Sequence, residues 1–556
     1  MFLDAAAVAT NSVFHAEVCI VGAGPAGIVL ALELAHAGLQ VLLLESGRHA
    51  YDSTAQKLGE AIVSDPARHA PVSQATRRQF GGTSTIWGGR CVPLDPIDFA
   101  MRDHVPDARW PISYEQIAAH YSRACDYAGC GPADFASHSA LPWAQSGIIP
   151  GLPDGPVTSS RLERWASPAD LGSRYYTEIA RHRLITCVLN ATCTSIEFDA
   201  NPEQVAGLAI AAPGGKRLRA TARQYALAGG GIATTRLLLA SNRVHRAGVG
   251  NLSGKLGRYY MGHISGKIAD ITFSGDPRQT IFGFERDTLG SYCRKRFAVS
   301  DADQSAHRLL NCALWLDNPR IADAGHGSGI LSLALLALTM PVLKRRLAPE
   351  AIVAAAVGTS QPIARAPHLT NILRDLPSVM AFAPAFVYKR YFAKHRIPGF
   401  FVKSNSNVYA LHYHAEHLPD ENSRIRLGED LDAFGVRLPV VDLRFSAADA
   451  QSVIGTHKLL DVHLRAHGRG RLVYRAQDLQ SAVLSQARDG FHQIGTTRMS
   501  ADPRDGVVDA DCKVHGIGNL YISSSSVFPT SGQANPTLSI MAVSVRLARH
   551  LAGLAR

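Results

Sequence analysis

Two segments near the C-terminus combine residue types that could move a proton. His492 precedes a glycine turn in FHQIGTTRM (Phe491–Met499), and Asn535 precedes a proline in SGQANPTLSIM (Ser531–Met541). A neutral imidazole titrates near physiological pH and can accept a proton there. A carboxamide can donate a hydrogen bond to an oxygen that gains negative charge, without competing for the proton. Single histidines and Asn–Pro steps are more often structural, so this interpretation depends on the elements that would position them.

The N-terminus reads as a nucleotide-binding unit. Ala16–Val21 is apolar and predicts a buried strand, and the glycine-rich segment Gly22–Gly27 (GAGPAG) follows at once. Ile28–Ala37 predicts a helix, and Gln40–Leu44 predicts a second strand that closes on Glu45. Strand, glycines, helix, strand and acid therefore occur in the order of a dinucleotide-binding βαβ unit.

Each glycine of this segment has a physical role. Gly22 permits a tight turn, Gly24 lets the backbone approach a pyrophosphate, and Gly27 lets helix and strand pack closely. Glu45 suits ribose hydroxyls and disfavours a 2′-phosphate, so the motif favours NAD or FAD over NADP. The residues predicted to contact the dinucleotide here are Gly22, Gly24, Pro25, Ala26, Gly27, Glu45 and Ser46.

A second glycine-rich segment, Arg77–Arg90 (RRQFGGTSTIWGGR), surrounds one tryptophan with small and hydroxyl residues. Such a loop can lie flat against a large planar ligand, and a tryptophan within a loop usually packs on something. The segment resembles the flavin loop of the glucose–methanol–choline (GMC) oxidoreductase family, in the branch of pyranose oxidase, fructose dehydrogenase and the glucoside 3-dehydrogenases. The resemblance implies cofactor contacts from Arg78, Gly81, Gly82, Thr83, Ser84, Trp87 and Gly88.

The same resemblance assigns the C-terminal pair. It implies that FAD accepts a hydride from a hydroxyl-bearing carbon, with His492 as the base and Asn535 donating to the developing alkoxide. In pyranose oxidase a histidine of the flavin loop is bonded to the cofactor, whereas Ile86 stands at the matching position here. The FAD is therefore predicted to be non-covalent.

Other segments match the family in order along the chain. Gln224–Leu239 resembles the strand, turn and helix beside the adenosine, and Thr186–Phe198 resembles a neighbouring strand pair. Thr537–Leu551 predicts a helix capped by Asn535, whose N-terminus would face the flavin. Ser524 replaces an acid found in many relatives. The further contacts implied are Cys193, Ala228, Gly229, Ser524, Pro536 and Thr537.

We therefore predict an α/β (α+β overall) fold, in which a Rossmann-type FAD-binding domain joins a substrate domain of antiparallel sheet and helices. At 556 residues the chain is long enough for two such units. The predicted parts are 1–95, 166–265 and 486–556 for the FAD domain, 96–165 for a cap excursion, and 266–485 for the substrate domain with a helical insertion near 320–400.

The middle of the chain carries weaker signals. Ser404–Leu411 and Ser423–Leu427 alternate like strands and predict an antiparallel roof over the flavin. His412, Tyr413 and His414 either face the substrate or are simply packed. The insertion could be a lid, a docking surface or an interfacial membrane element, and Ile330–Leu343 (ILSLALLALTMPVL) is too short to span a bilayer.

Composition excludes several classes of protein. The net charge of +11 is interpreted first as a basic solvated surface, because no nucleic-acid-binding signature accompanies it. Nine cysteines without a CxxC pair predict reduced thiols, no metal site and a cytoplasmic location. The start of the chain does not resemble a secretory signal. A peripheral membrane contact is the less favoured interpretation.

The function predicted is FAD-dependent oxidation of the CH–OH group of a small-molecule alcohol, with a sugar, glycoside or polyol favoured by the resemblance. One alternative is tailoring oxidation of a less polar alcohol, and another is a non-redox FAD-containing lyase of the same fold. The substrate stays open, as does the electron acceptor, whether oxygen, a quinone or a protein carrier.

Overall fold

The computed structural model describes residues 1–145, 147–340, 347, 353 and 363–555. The strands, numbered in chain order, are β1 (Phe2–Asp4), β2 (Val13–Val21), β3 (Val41–Leu44), β4 (Ile62–Val63), β5 (Arg90–Cys91), β6 (Val157–Trp165), β7 (Ile185–Leu189), β8 (Thr192–Phe198), β9 (Val205–Ala212), β10 (Lys216–Leu227), β11 (His263–Phe273), β12 (Glu285–Arg286), β13 (Tyr292–Val299), β14 (Cys312–Asp317), β15 (Val408–Glu416), β16 (Arg424–Leu431), β17 (Arg437–Asp442), β18 (Gly470–Tyr474) and β19 (Leu520–Ile522).

The α-helices are numbered in the same way. They are α1 (Pro25–His36), α2 (Ser53–Lys57), α3 (Val72–Ala75), α4 (Pro96–Phe99), α5 (Tyr114–Ala118), α6 (Tyr121–Ala128), α7 (Ser137–Ala140), α8 (Leu171–Arg181), α9 (Gly231–Ala240), α10 (Asp301–Ala306), α11 (Gly329–Thr339), α12 (Arg365–Arg374), α13 (Leu376–Val387), α14 (Ala447–Ala466), α15 (Leu479–Gln486) and α16 (Thr537–Leu554).

The first sheet is the predicted dinucleotide-binding sheet. Its strands follow the order β1-β7-β3-β2-β10, all parallel, and β19 also pairs in parallel with β10. Strand β3 is buried along its whole length, as expected for a parallel strand covered on both faces. Helix α1 packs against α16. The predicted Rossmann-type fold is confirmed.

An antiparallel extension completes this sheet. Strand β9 pairs with β10 and β8 pairs with β9, both antiparallel. The segment Thr186–Phe198 thus contains two strands as expected, but they are not partners of each other: β7 joins the parallel strands, and β8 lies at the other end of the sheet order.

The second large sheet confirms the predicted antiparallel layer. Its order is β18-β11-β15-β14-β13-β6-β5, and β12 pairs with β13. Strand β11 begins at His263, and β15 lies between β11 and β14. This sheet and α14 surround a hydrophobic core separate from the core of the first sheet. The predicted domain boundaries stay a prediction.

One strand prediction was wrong about its sheet. Residues 423–427 were expected in the antiparallel roof, but β16 pairs with β17, and β17 pairs in parallel with β4 in a separate three-stranded sheet. Alternating polarity predicts a strand without identifying its partner. Of Ser404–Leu411 only the last part is a strand, because Asn407 adopts a positive φ of 55° immediately before β15.

The described part of the insertion near 320–400 contains α11, α12 and α13 and a π-helical turn at Tyr388–Phe392. The predicted apolar run ends at 341–343, outside the described residues. Within the described ranges, no helix is both long and apolar enough to cross a membrane.

Candidate active site

A large cavity lies where the two glycine-rich segments meet the C-terminal segments. Its volume is about 1520 Å³, above the range of about 300–1,000 Å³ usual for drug-sized ligands, so a dinucleotide and a substrate can share it. The predicted site residues that line it are Gly22, Gly24, Pro25, Ala26, Glu45, Ser46, Arg78, Gly82, Thr83, Ser84, Trp87, Gly88, Cys193, Ala228, Gly229, His492, Ser524, Asn535, Pro536 and Thr537.

Two predicted glycines, Gly27 and Gly81, do not line the cavity. A Cβ on Gly27 would overlap the carbonyl oxygen of Gly22, so Gly27 acts through helix–strand packing, as its expected role requires. Gly82 has φ +54°, and its Cβ would lie 2.8 Å from the Cα of Gly24. The two glycine-rich segments thus touch through their backbones and open onto the same cavity.

Glu45 is fixed at the end of β3 by two backbone amides. Ala23 N–H donates to Oε2 across 2.9 Å, and Gly47 N–H donates to Oε1 across 2.7 Å. Burial raises the pKa of Glu45, and these hydrogen bonds offset part of that effect. Each carboxylate oxygen keeps acceptor capacity for a ribose hydroxyl.

Side chains around the cavity also fit a polar cofactor. Arg78 donates from Nη1 to Ser46 Oγ across 2.8 Å, and Trp87 is held by an Nε1–H donation to Ala169 O across 2.7 Å. The buried hydroxyl of Thr234, which lines the cavity, has no partner among the described residues. A buried polar group usually needs a partner, and a bound flavin can provide one. The residues present therefore fit FAD.

The two residues proposed for chemistry meet at this cavity. Asn535 donates from Nδ2 to Nε2 of His492 across 2.8 Å. The other amide atom, Oδ1, accepts a hydrogen bond from Nη1 of Arg90. Arginine has only donors, so the atom that faces it must be the oxygen. Arg90 thereby sets which way the Asn535 amide points.

This orientation also determines the tautomer of His492. Because Asn535 presents N–H to Nε2, that nitrogen must be unprotonated. The ring proton then lies on Nδ1, which donates to Asp489 Oδ2 across 3.1 Å. A lone pair on Nε2 at the cavity is what a base needs to accept a hydroxyl proton.

Asp489 is the carboxylate that holds this arrangement. Oδ2 also accepts from the backbone N–H of His263 across 2.6 Å, and Oδ1 accepts from Phe491 N–H across 2.8 Å. Burial alone would raise the pKa of Asp489, but His492 and His263 together lower it well below its usual range. The carboxylate is therefore ionised and available to stabilise a protonated His492.

Two further histidines surround His492. Nδ1 of His263 lies 2.9 Å from Nδ1 of His492, and the His263 ring stacks on His414 with 4.3 Å between centroids. Burial lowers the pKa of His263 to about 4, and burial with the neighbouring His263 lowers that of His414 well below its usual range. Both rings are therefore neutral near pH 7. Metal-ligating atoms of the three rings lie within 4.8 Å of one another, a cluster that the sequence did not predict.

Arg90 is itself anchored from behind. Its Nη2 donates to Glu163 Oε1 across 2.5 Å, and Arg294 donates to Glu163 Oε2 across 2.6 Å. Burial would raise the pKa of Glu163, but Arg294 and Arg90 lower it to about 2. Two arginines thus share one ionised carboxylate, and this pairing fixes the guanidinium that orients Asn535.

One structural expectation needs correction. Asn535 was predicted to cap the last helix, but the capping position of α16 is Pro536, and the Asn535 side chain bonds His492 and Arg90 instead. The helix still begins at the cavity, since Pro536 and Thr537 line it. The Asn535 side chain therefore does not cap α16, because it bonds His492 and Arg90.

The sequence reasoning missed four residues of this cluster: Arg90, His263, His414 and Asp489. Arg90 ends the glycine-rich segment, and Asp489 precedes His492 by three residues, so both carried a local signal. His414 had been named only as either packed or facing the substrate. His263 starts β11, and nothing local connects it with His492, 229 residues away.

Comparisons with known proteins show what the chain is similar to. Residues 419–544 match the family model "GMC oxidoreductase", and residues 15–58 match "FAD binding domain". The chain is 23% identical to the fructose dehydrogenase large subunit of Gluconobacter japonicus, over 97% of this chain and 98% of that protein. It is 24% identical to paromamine 6′-oxidase of Streptomyces fradiae, over 97% of this chain and 91% of that protein.

A solved structure shares the overall fold. It is described as a new fungal aryl-alcohol oxidase and has a TM-score of 0.50 and 13% sequence identity, covering 97% of this chain and 99% of that one. At this identity the similarity concerns the fold alone.

Proposed function

Because this chain belongs to the GMC oxidoreductase family, we propose that His492 and Asn535 are the residues that activate its alcohol substrate. The protein is an FAD-dependent oxidoreductase that acts on CH–OH groups. The observation that carries the proposal is the unprotonated Nε2 of His492 beside the amide of Asn535 at the cavity.

The chemistry divides between cofactor and chain. FAD, when bound, supplies the acceptor for the hydride. Nε2 of His492 takes the hydroxyl proton, and Asp489 stabilises the resulting imidazolium through Nδ1–H. Because Nε2 has a single lone pair, the substrate hydroxyl must replace the Asn535 N–H at that nitrogen, and Nδ2 of Asn535 then donates to the substrate oxygen as negative charge develops there. The neutral His263 and His414 add no competing positive charge.

The residues proposed to hold FAD fall into groups that contact different parts of the cofactor. The first glycine segment and α1 meet the pyrophosphate, Glu45 meets the ribose, and the second glycine segment meets the flavin. The cofactor is held without a covalent bond, in line with Ile86 in the flavin loop. Acid precipitation of the yellow protein should therefore leave the flavin in the supernatant; a yellow pellet would contradict this.

The proposed substrate is a sugar, glycoside or polyol. Support comes from the names of two full-length relatives, fructose dehydrogenase large subunit and paromamine 6′-oxidase. The proposed location is the cytoplasm, supported by nine cysteines that are all unpaired. The electron acceptor is oxygen, a quinone or a protein carrier, and reoxidation of the reduced flavin distinguishes these three.

Anaerobic flavin reduction tests the function directly. The purified holoenzyme is mixed with fructose, glucose, a glucoside or a polyol, and the absorbance of oxidised flavin is followed. Bleaching by a member of this set supports the proposal, and bleaching only by apolar alcohols contradicts the sugar assignment. Turnover without bleaching would indicate a lyase. Oxygen, a soluble quinone and cytochrome c are then compared as oxidants of the reduced enzyme.

A less polar alcohol is the second candidate. It is favoured by one observation: the apolar helical insertion adjoins the cavity, since Arg390 in the π-helical turn after α13 lines it. Long-chain and aromatic alcohols in the same assay distinguish the two candidates.

A further inference from the structure

Helix α12 buries polar side chains and exposes leucines, the reverse of what is usual for a helix that faces water. His368 and Asn371 are buried, with 1% and 8% of their surface exposed. On the same helix Leu369 and Leu373 are 51% and 73% exposed. Surface helices normally bury their apolar stripe and present polar residues to solvent. The outward face of α12 therefore matches an apolar environment.

Polar contacts hold the helix in this rotation. Nδ1 of His368 lies 3.0 Å from Oγ of Ser332 on α11, and Asn371 donates to the same oxygen across 3.3 Å. Asp375 Oδ2 accepts from the backbone N–H of Gly329 at the start of α11, across 2.9 Å. The polar groups are partnered between α11 and the segment 368–375, so turning the leucines inward would break these bonds.

Exposed apolar side chains also occur on the next helix and in the turn that follows it. Val379 is the buried residue of α13, whereas Met380 is 68% exposed, and Phe392 in the π-helical turn 388–392 is 74% exposed. We call the exposed large apolar side chains of α12, α13 and the turn 388–392 the insertion face; it comprises Leu369, Leu373, Leu376, Met380, Val387, Tyr388, Tyr391 and Phe392. Exposed apolar clusters of this kind mark interaction sites.

The charge around this face has one sign. Between 363 and 403 the sequence has a single carboxylate, Asp375, which is engaged with α11. The basic residues of the same stretch are Arg365, Arg374, Lys389, Arg390, Lys394, Arg396 and Lys403. In the described part of the chain, none of these seven side chains forms an ion pair, although Arg390 and Lys403 donate to backbone carbonyls.

We propose that the insertion face docks on an anionic lipid surface. Leucine, methionine and phenylalanine side chains would enter the headgroup boundary, and the lysines and arginines would meet lipid phosphates. The segment 388–396 (YKRYFAKHR) alternates aromatic and basic residues, a pattern suited to the interface because both side-chain types have apolar bodies and polar ends. This favours lipid over a protein partner, whose surface would need matched carboxylates.

Docking in this way would bring the cavity close to the lipid. Arg390 belongs both to the basic set and to the cavity lining. An apolar alcohol or a quinone dissolved in the bilayer would then reach the cavity without crossing water. The inference does not depend on which alcohol is oxidised, because apart from Arg390 the insertion face and its basic residues do not line the cavity that holds His492.

Vesicle co-sedimentation tests the proposal. The holoenzyme is mixed with sucrose-loaded vesicles of phosphatidylcholine alone or of phosphatidylcholine with phosphatidylglycerol at 7:3. We expect sedimentation with the anionic vesicles that decreases at high salt, because salt screens surface charge. Sedimentation with neither vesicle, or equally with both, would overturn the proposal.

Two multiple variants locate the surface. Leu373→Ser with Met380→Ser and Phe392→Ser should weaken the vesicle partition coefficient by about a hundredfold or more. Lys389→Gln with Lys394→Gln and Arg396→Gln should weaken it by on the order of a hundredfold, near fivefold per charge. Visible flavin absorbance and thermal unfolding would confirm that each variant is folded.

A matched control removes exposed leucines elsewhere. Leu252→Ser, Leu431→Ser and Leu554→Ser affect residues that are 56% to 64% exposed outside the insertion, and this variant should bind vesicles like the parent. Equal loss in the control would overturn the assignment. Light scattering adds a second check, because the insertion face could instead bind a second copy of the chain. The proposal is overturned in favour of a dimer if the parent is dimeric and does not bind vesicles, and if the triple serine variant at Leu373, Met380 and Phe392 is monomeric.

Discussion

Asn535 lies with Nδ2 2.8 Å from Nε2 of His492, although 43 residues separate the two in the chain. A substrate hydroxyl that replaces this contact would meet both the lone pair of Nε2 and an N–H of Nδ2. Base and oxyanion donor are thus positioned by each other before substrate arrives, which lowers the cost of organising them in the transition state.

Removing either member should impair chemistry without removing the cofactor. His492→Ala should reduce the rate of anaerobic flavin reduction by about 10²–10⁴-fold, since the proton loses its acceptor. Asn535→Ala should reduce it by about 10²–10³-fold, since the developing charge loses a donor. Stopped-flow absorbance measures both, and the exposed His307→Ala is the control. An undiminished rate in His492→Ala would exclude it as the base.

Asp489→Asn should separate a positioning role from a structural one. The amide cannot stabilise the imidazolium, so we expect kcat to fall by about 10²-fold with a smaller change in KM. The acidic limb of the kcat/KM profile should move to lower pH, because the carboxylate favours the protonated ring. Asp502→Asn, at a partly exposed carboxylate paired with Arg504, should change neither. A lower kcat with an unshifted pH profile would indicate that Asp489 only supports the fold.

Arg90→Lys should disorder the Asn535 amide. A lysine cannot bridge Glu163 and Asn535 with one planar fork, so the amide loses the contact that sets its orientation. We expect kcat to fall by about tenfold to a hundredfold, the scale of a small misplacement in an active site. Arg294→Lys is the matched control, since Arg294 shares the carboxylate without touching Asn535. Equal losses in the two variants would point to Glu163 burial instead.

Gly82→Ala should weaken FAD binding. Gly82 has φ +54°, and an added Cβ would lie 2.8 Å from the Cα of Gly24, so the two glycine-rich segments must separate. A non-glycine residue with this positive φ costs on the order of 1–3 kcal/mol, which predicts at least about a tenfold rise in the Kd for FAD. Titration of the apoprotein with FAD measures it. Gly553→Ala is the control, because an added Cβ at that position has nothing within 4 Å. An unchanged Kd in Gly82→Ala would contradict the proposal that the two glycine-rich segments hold FAD together.

Acid should destabilise the fold through His263. Its pKa falls from 6.5 to about 4 on folding, chiefly through burial. Between these two pH values the unfolded chain binds a proton at His263 that the native state does not bind. The contribution of neutral His263 to the free energy of unfolding is therefore fully present above pH 6.5 and is lost as the pH falls towards 4. The loss attributable to this group is about 3 kcal/mol. Urea midpoints should fall less between pH 7 and pH 4.5 in His263→Gln than in the parent; a slope equal to that of His307→Gln would contradict this.

Local sequence patterns determined the nucleotide half of the molecule. The order of strand, glycines, helix, strand and Glu45 predicts one fold because each residue type meets a backbone requirement close by in the chain. The proposed pair His492 and Asn535 was also identified from sequence, since each lies in a segment whose neighbours are distinctive. These inferences needed no long-range contact.

Only the tertiary structure decided what surrounds that pair. Strand β11 brings His263 beside His492, β15 brings His414 near the same ring, and β5 brings Arg90 to Asn535. Polarity patterns specify which residues are buried but not which strand pairs with which, as the misassigned β16 shows. The cluster, the tautomer of His492 and the outward leucines of α12 all depend on such pairings, because contacts between residues far apart in the chain arise only when the whole chain packs.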